Sequence, residues 1–184
     1  MEAFLVSAGI VAVAEIGDKT QLLAFVLAAR FKRPLPIVLG ILVATLLNHA
    51  LAGALGSWLR TLIGPEALRW VLASSFFAMA AWALRPDRRD EKAEIAGRYG
   101  VFAITLTTFF LAEIGDKTQI ATIALAARYE ALAAVVLGTT AGMLLANVPV
   151  VLLARPASAK IPFPLIRYFA AALFVATGAL TLAG

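Results

Sequence analysis

Six long apolar runs alternate with short polar or charged breaks along the chain: Phe4 to Ala29, Pro36 to Leu59, Glu66 to Leu84, Val101 to Ala127, Ala131 to Ala154 and Pro164 to Ala183. The runs are rich in Leu, Ala and Val and lack the period-2 alternation of strands. Each is long enough to close its own backbone hydrogen bonds as a helix in lipid. The pattern therefore predicts an all-α, polytopic membrane protein with six transmembrane helices. Between the runs, the segments Arg30 to Leu35, Arg60 to Pro65, Arg85 to Gly100, Arg128 to Glu130 and Arg155 to Phe163 carry proline, glycine or charge, as turns do. The residues Met-Glu-Ala-Phe at the start lack the basic stretch of a secretory signal, so the first run is expected to be kept.

Composition sharpens this reading. A chain of 184 residues that is 62% hydrophobic and 15% charged, with a mean hydropathy of +0.91, does not have the make-up of a soluble domain. At roughly 20 residues per crossing, six helices consume the length and leave no room for a soluble catalytic domain. With no cysteine, disulfides, thiolate metal sites and cysteine nucleophiles are excluded. The net charge of +5 does not signal a nucleic-acid partner, because the basic residues cluster between apolar runs. Six spans put Arg30, Lys32, Arg33, Arg85, Arg88, Arg89, Lys92, Arg98, Arg155, Lys160 and Arg167 on one side, against Arg60, Arg69 and Arg128 on the other. The positive-inside rule then predicts the first group in the cytoplasm and both termini outside.

The chain is also written twice. A shift of 98 residues lays Met1–Leu84 on Tyr99–Leu182 without a gap, with 26 of the 84 positions identical. Ala14 to Gln21 (AEIGDKTQ) returns unchanged as Ala112 to Gln119, and Val38-Leu39-Gly40 as Val136-Leu137-Gly138. The expected organisation is a first three-helix repeat over residues 1–84, a charged cytoplasmic linker over 85–100 and a second three-helix repeat over 101–184. Three spans is an odd number, so the second repeat must be inverted relative to the first. The first helix of each copy carries a polar heptad near its middle, where inverted-repeat transporters keep their substrate site.

Those heptads, E-I-G-D-K-T-Q, place Glu15, Asp18, Lys19, Glu113, Asp116 and Lys117 about a dozen residues into apolar runs, near the bilayer midplane. At about 2.5–3.5 kcal/mol per charge, six such groups cost roughly 15–20 kcal/mol to insert, which glue between helices does not justify. Spacings of three and four put Glu15, Asp18 and Lys19 on one face if the helix is continuous, and likewise Glu113, Asp116 and Lys117. Gly17 and Gly115 are expected to weaken the helix there and free backbone carbonyls inside the protein. Four carboxylates, with neutral oxygens from Thr20, Gln21, Thr118 and Gln119, form a hard-oxygen set suited to Ca²⁺, Mn²⁺ or Mg²⁺. The lysines are expected to act as counter-ions for the empty site. The net charge of −2 can be cancelled by one divalent cation or by two protons, which is the minimal chemistry of exchange. In a purely structural alternative, Glu15 pairs with Lys19 and Glu113 with Lys117 along one helix, leaving Asp18 and Asp116 without cations.

Asn48, His49 and Asn147 fall in the second helix of each copy, with His49 opposite Asn147 in the alignment, and are candidates to line the same cavity. Gly138 and Gly142 fit a small-xxx-small packing pattern, Pro149 is a candidate kink, and Trp58, Trp70 and Trp82 fall near span ends as an aromatic belt does.

The paired E-x-G-D-K-T motifs resemble the signature of the GDT family, also called uncharacterised protein family 0016. These are cation/proton exchangers of bacterial, Golgi and chloroplast membranes. The resemblance covers nearly the whole chain and implies exchange of Mn²⁺ or Ca²⁺, as transported substrate rather than prosthetic group, for H⁺. It further implies that Glu15, Asp18, Glu113 and Asp116 contribute to the metal pathway. Without the long N-terminal extension of eukaryotic members, the chain looks like a compact metal exporter of a prokaryotic plasma membrane, with the bilayer, divalent ions and protons as partners. A homo-oligomer is left open. The residues alone also admit an exporter of organic cations such as basic amino acids, an intramembrane metal-dependent enzyme, or a channel. The enzyme is disfavoured because neither a histidine cluster nor a nucleophile elbow accompanies the heptads.

Overall fold

A computed structural model describes residues 1–84, 100–153 and 163–183. Among these residues the six apolar runs become eight α-helices and no strand, because the first and fourth runs are each divided. They are α1 (Glu2–Glu15), α2 (Lys19–Phe31), α3 (Pro34–Leu62), α4 (Pro65–Ala83), α5 (Val101–Glu113), α6 (Lys117–Arg128), α7 (Leu132–Leu152) and α8 (Phe163–Ala183). Pro34 and Pro65 open α3 and α4, where a missing N–H costs nothing. Lys32, at φ 52°, turns the chain out of α2 while its N–H bonds back to the Ala28 carbonyl. Among the described residues, α3 and α7 are the two helices both long and apolar enough to cross a membrane by themselves. The linker Arg85 to Arg98 and the cations Arg155 and Lys160 lie outside the described residues.

The divisions fall inside the heptads, and they correct the expectation of a shared helical face. Helix α1 stops at Glu15 and α2 starts at Lys19 with Asp18 as its N-cap, while α5 stops at Glu113 and α6 starts at Lys117 with Asp116 as its N-cap. Gly17 and Gly115 take φ values of 81° and 73°, a region that costs other residues roughly 1–2 kcal/mol. The Asp18 N–H bonds to the Glu15 carbonyl and the Asp116 N–H to the Glu113 carbonyl, 3.0 Å in each copy, so both breaks fold alike. Three- and four-residue spacings therefore do not set the side-chain geometry here; the turn at glycine does.

Packing exchanges the two copies. Helix α1 lies along α7, and α5 lies along α3. A Cβ on Gly138 would come within 2.5 Å of the Phe4 carbonyl oxygen, and one on Gly40 within 3.0 Å of the Phe102 carbonyl oxygen, so the bare glycines let these backbones touch. The 98-residue shift carries one of these contacts onto the other. Gly142, four residues on, sits equally close to the Ala8 carbonyl, which accounts for the small-xxx-small spacing. Helices α3 and α7 also touch each other, and α4 packs on α8. One apolar core joins α1, α4, α6, α7 and α8 around Phe76, Leu125 and Phe174; a second joins α2, α3, α5 and α7 around Leu27, Ile41 and Phe109. On the outside, Leu39, Leu47 and Leu55 of the first copy and their counterparts Leu137, Leu145 and Leu153 are exposed. The carboxylates, by contrast, are buried, an arrangement whose natural solvent is lipid.

Candidate functional site

The two breaks meet inside the protein. Glu15, Asp18 and Asp116, all buried, each offer a carboxylate oxygen within 4.8 Å of the others. A cation bound at about 2.3–2.6 Å from each oxygen can bridge oxygens up to roughly 5 Å apart, so one Ca²⁺-sized ion fits the set. Glu113 is fully buried but stands outside that trio, and its Oε1 accepts a hydrogen bond of 2.6 Å from the Thr45 hydroxyl on α3. Thr45 is the participant that the motifs do not reveal. Its position one helical turn before Asn48 and His49, on the same face of α3, is the signal that could have found it.

The lysines do not follow the intrahelical alternative. Lys117 donates to Asp18 of the other copy, and Lys19 lies 3.2 Å from Asp116 Oδ1 of the other copy. Each aspartate thus receives a cation across the molecule. The exchange is reciprocal in pattern and unequal in setting: Lys117 is buried, whereas the Lys19 side chain is 37% exposed. Three carboxylates against two ammonium groups leave the meeting point net negative and able to gain by taking in further positive charge.

The neutral side chains divide their work. Thr20 donates to Glu15 Oε2, while the Thr118 hydroxyl and backbone N–H donate to Asp116 Oδ2 at 3.2 and 3.4 Å. The amide oxygens of Gln21 and Gln119, expected as site oxygens, instead accept the N–H of Gly17 and Gly115 at 2.9 and 2.8 Å. Asn48 donates to the Phe110 carbonyl at 3.0 Å, and Asn147, beside Glu15, donates to the Met143 carbonyl at 3.1 Å. His49 is fully buried with neither ring nitrogen hydrogen-bonded among the described residues. Trp58, Trp70 and Trp82 are exposed, Pro149 lies within α7, and neither touches the meeting point through any described hydrogen bond.

Outward leucines, inward carboxylates and helices broken at their polar centre define a helical membrane protein with a buried, net-negative polar centre. A family described as the divalent cation/proton antiporter GDT1 matches residues 3–91 and 101–184, and the chain belongs to that family. It is 51% identical over 176 residues, covering 95% of this chain and 88% of the relative, to a Vibrio cholerae protein named "Putative manganese exporter". It is 32% identical over 167 residues, 80% of this chain and 78% of the relative, to a GDT1-like protein of Synechocystis. No solved structure matches the chain. The protein is accordingly a membrane transporter that exchanges divalent cations for protons, and the enzyme and channel readings fall away.

Proposed function

We propose that this antiporter carries Mn²⁺ out of a prokaryotic cell against inward H⁺, as the name of its Vibrio relative suggests. The substrate seats on Glu15, Asp18 and Asp116, with Glu113 completing the pathway. Four residues, Lys19, Thr20, Lys117 and Thr118, hold the carboxylates in place between substrates, and Asn48, His49 and Asn147 border the cavity. In this reading the chain forms six spans as two inverted three-helix repeats, residues 1–84 and 101–184 joined by a cytoplasmic linker, with both termini outside. Support comes from the swapped packing of α1 on α7 and α5 on α3, and from cations that cross between copies.

The observation that carries the proposal is the trio of buried carboxylate oxygens, two from one heptad and one from the other. Metal binding requires these oxygens deprotonated and displaces the lysines' charge, whereas protons cancel the same charge. Occupancy by metal and by protons is therefore exclusive, which couples the two fluxes. The test is reconstitution in liposomes with a pH dye inside and Mn²⁺, Ca²⁺, Mg²⁺ or arginine added outside. Interior alkalinisation driven by Mn²⁺ and lost in Asp116→Asn is expected. Metal entry that leaves internal pH unchanged, or a response to arginine alone, overturns the reading.

A further inference from the structure

Gln21 and Gln119 hold the third position after the N-caps Asp18 and Asp116. In a capping box this residue reaches back to the N–H of the cap itself. Here the cap N–H is already taken by the Glu15 or Glu113 carbonyl, and the glutamine reaches one residue further, to the N–H of the glycine that makes the turn. That leaves the amide NH₂ of each glutamine for the rest of the protein, and both spend it on the long helix of the opposite copy at equivalent positions. Gln21 donates to the carbonyl of Ala146 on α7 at 3.1 Å, and Gln119 donates to the Asn48 side-chain oxygen on α3 at 3.4 Å. Positions 48 and 146 are counterparts under the 98-residue shift.

We propose that Gln21 and Gln119 are positioning residues that strap each broken helix to the opposite long helix, and that the strap at the second break is the one that yields during transport. The first strap ends on a main-chain carbonyl that is fixed within α7. The second ends on a side chain, and that side chain also holds the last turn of α5 through Phe110, so one amide on α3 ties both sides of the break. Rotation of Asn48 breaks the bonds to α5 and α6 together, whereas rotation of Gln21 breaks a single bond between α2 and α7. Because α5 and α6 carry Glu113 and Asp116, movement of the second break carries Asp116 away from Glu15 and Asp18 and opens the trio. This inference rests on the exchange reading above.

The experiment uses the full-length protein in liposomes, measuring Mn²⁺-driven proton efflux over a range of metal concentrations for Gln119→Ala, Asn48→Ala, the double variant, Gln119→Glu and Gln21→Ala. Loss of one partly buried bond predicts a fall of about tenfold in maximal rate for Gln119→Ala, and Asn48→Ala, which also loses the bond to Phe110, is expected to fall at least as far, with the half-saturating metal concentration little moved in either. The double variant is expected to match Asn48→Ala, which already cuts the strap to Gln119 along with the bond to Phe110. Gln119→Glu retains the acceptor for Gly115 but loses the donor to Asn48, and is expected to behave as Gln119→Ala in rate while folding like the parent. Gln21→Ala is expected to raise the half-saturating concentration instead, because it loosens the fixed pole. Additive losses in the double variant, a parental rate in Gln119→Glu, or the same rate-only defect in Gln21→Ala overturns the inference. A parent protein that exchanges nothing overturns the exchange reading itself.

Discussion

The two broken helices carry the same eight residues, yet their surroundings treat them differently. At the first break, Glu15 takes a hydrogen bond from Thr20 of its own helix pair and joins the trio of converging oxygens. At the second, Glu113 takes its bond from Thr45 on the opposite copy's long helix and stands outside the trio. Lys117 is buried against Asp18, while Lys19 reaches Asp116 from a partly open position. The difference originates in the long helices, where Thr45, Asn48 and His49 of α3 face Met143, Ala146 and Asn147 of α7 in the alignment. Duplicated motifs supply the same side chains twice, and divergence of the helices around them gives each copy different surroundings.

The sharpest way to break this comparison is to neutralise one glutamate at a time. Glu15→Gln removes a member of the trio and is expected to weaken apparent Mn²⁺ affinity by about 100-fold or more, whereas Glu113→Gln is expected to cost about tenfold or less in affinity while slowing turnover. Equal affinity losses in the two variants, read from metal titration of proton efflux, would show the copies to be equivalent.

The lysines come next. Lys117→Met leaves Asp18 with a buried charge and without its main cation, at a cost of about 3–5 kcal/mol. Lys19→Met removes a partly solvated pair and is expected to cost about 1 kcal/mol or less. Thermal unfolding in detergent should rank them in that order, and a reversed ranking would mean that Lys19 holds the buried pole. Glycine contacts between helices give a smaller contrast. Gly138→Ala drives a methyl to within 2.5 Å of the Phe4 carbonyl oxygen, and Gly40→Ala meets the Thr105 Cβ at 2.7 Å, so both are expected to cost about 1–3 kcal/mol with Gly138 the worse. Smallest of all, Arg60→Ala breaks a 2.7 Å pair with Glu130, whose side chain is 87% exposed, and is expected to move stability by less than about 1 kcal/mol.

Much of this was legible in the chain because it is local. Apolar runs marked the helices to within a few residues, and Gly17 and Gly115 marked where two of them weaken. The face argument for Glu15, Asp18 and Lys19 failed because it assumed an unbroken helix. The sequence did contain the correction, since an aspartate after a glycine and three residues before a glutamine reads as a helix start. The partners of the lysines were not legible. Lys19–Asp116 and Lys117–Asp18 join residues nearly a hundred positions apart, and only the docking of α1 on α7 and α5 on α3 brings them together. Thr45 was hidden for a related reason: a single hydroxyl in an apolar helix shows no purpose until Glu113 is placed beside it.

The crossed lysine–aspartate pairs also bear on ancestry. A lone copy holds one octapeptide, whose lysine and aspartate pair here with those of the second octapeptide. A gene predating the duplication would therefore have needed two molecules of its product, side by side, to make the same crossed pairs in lipid.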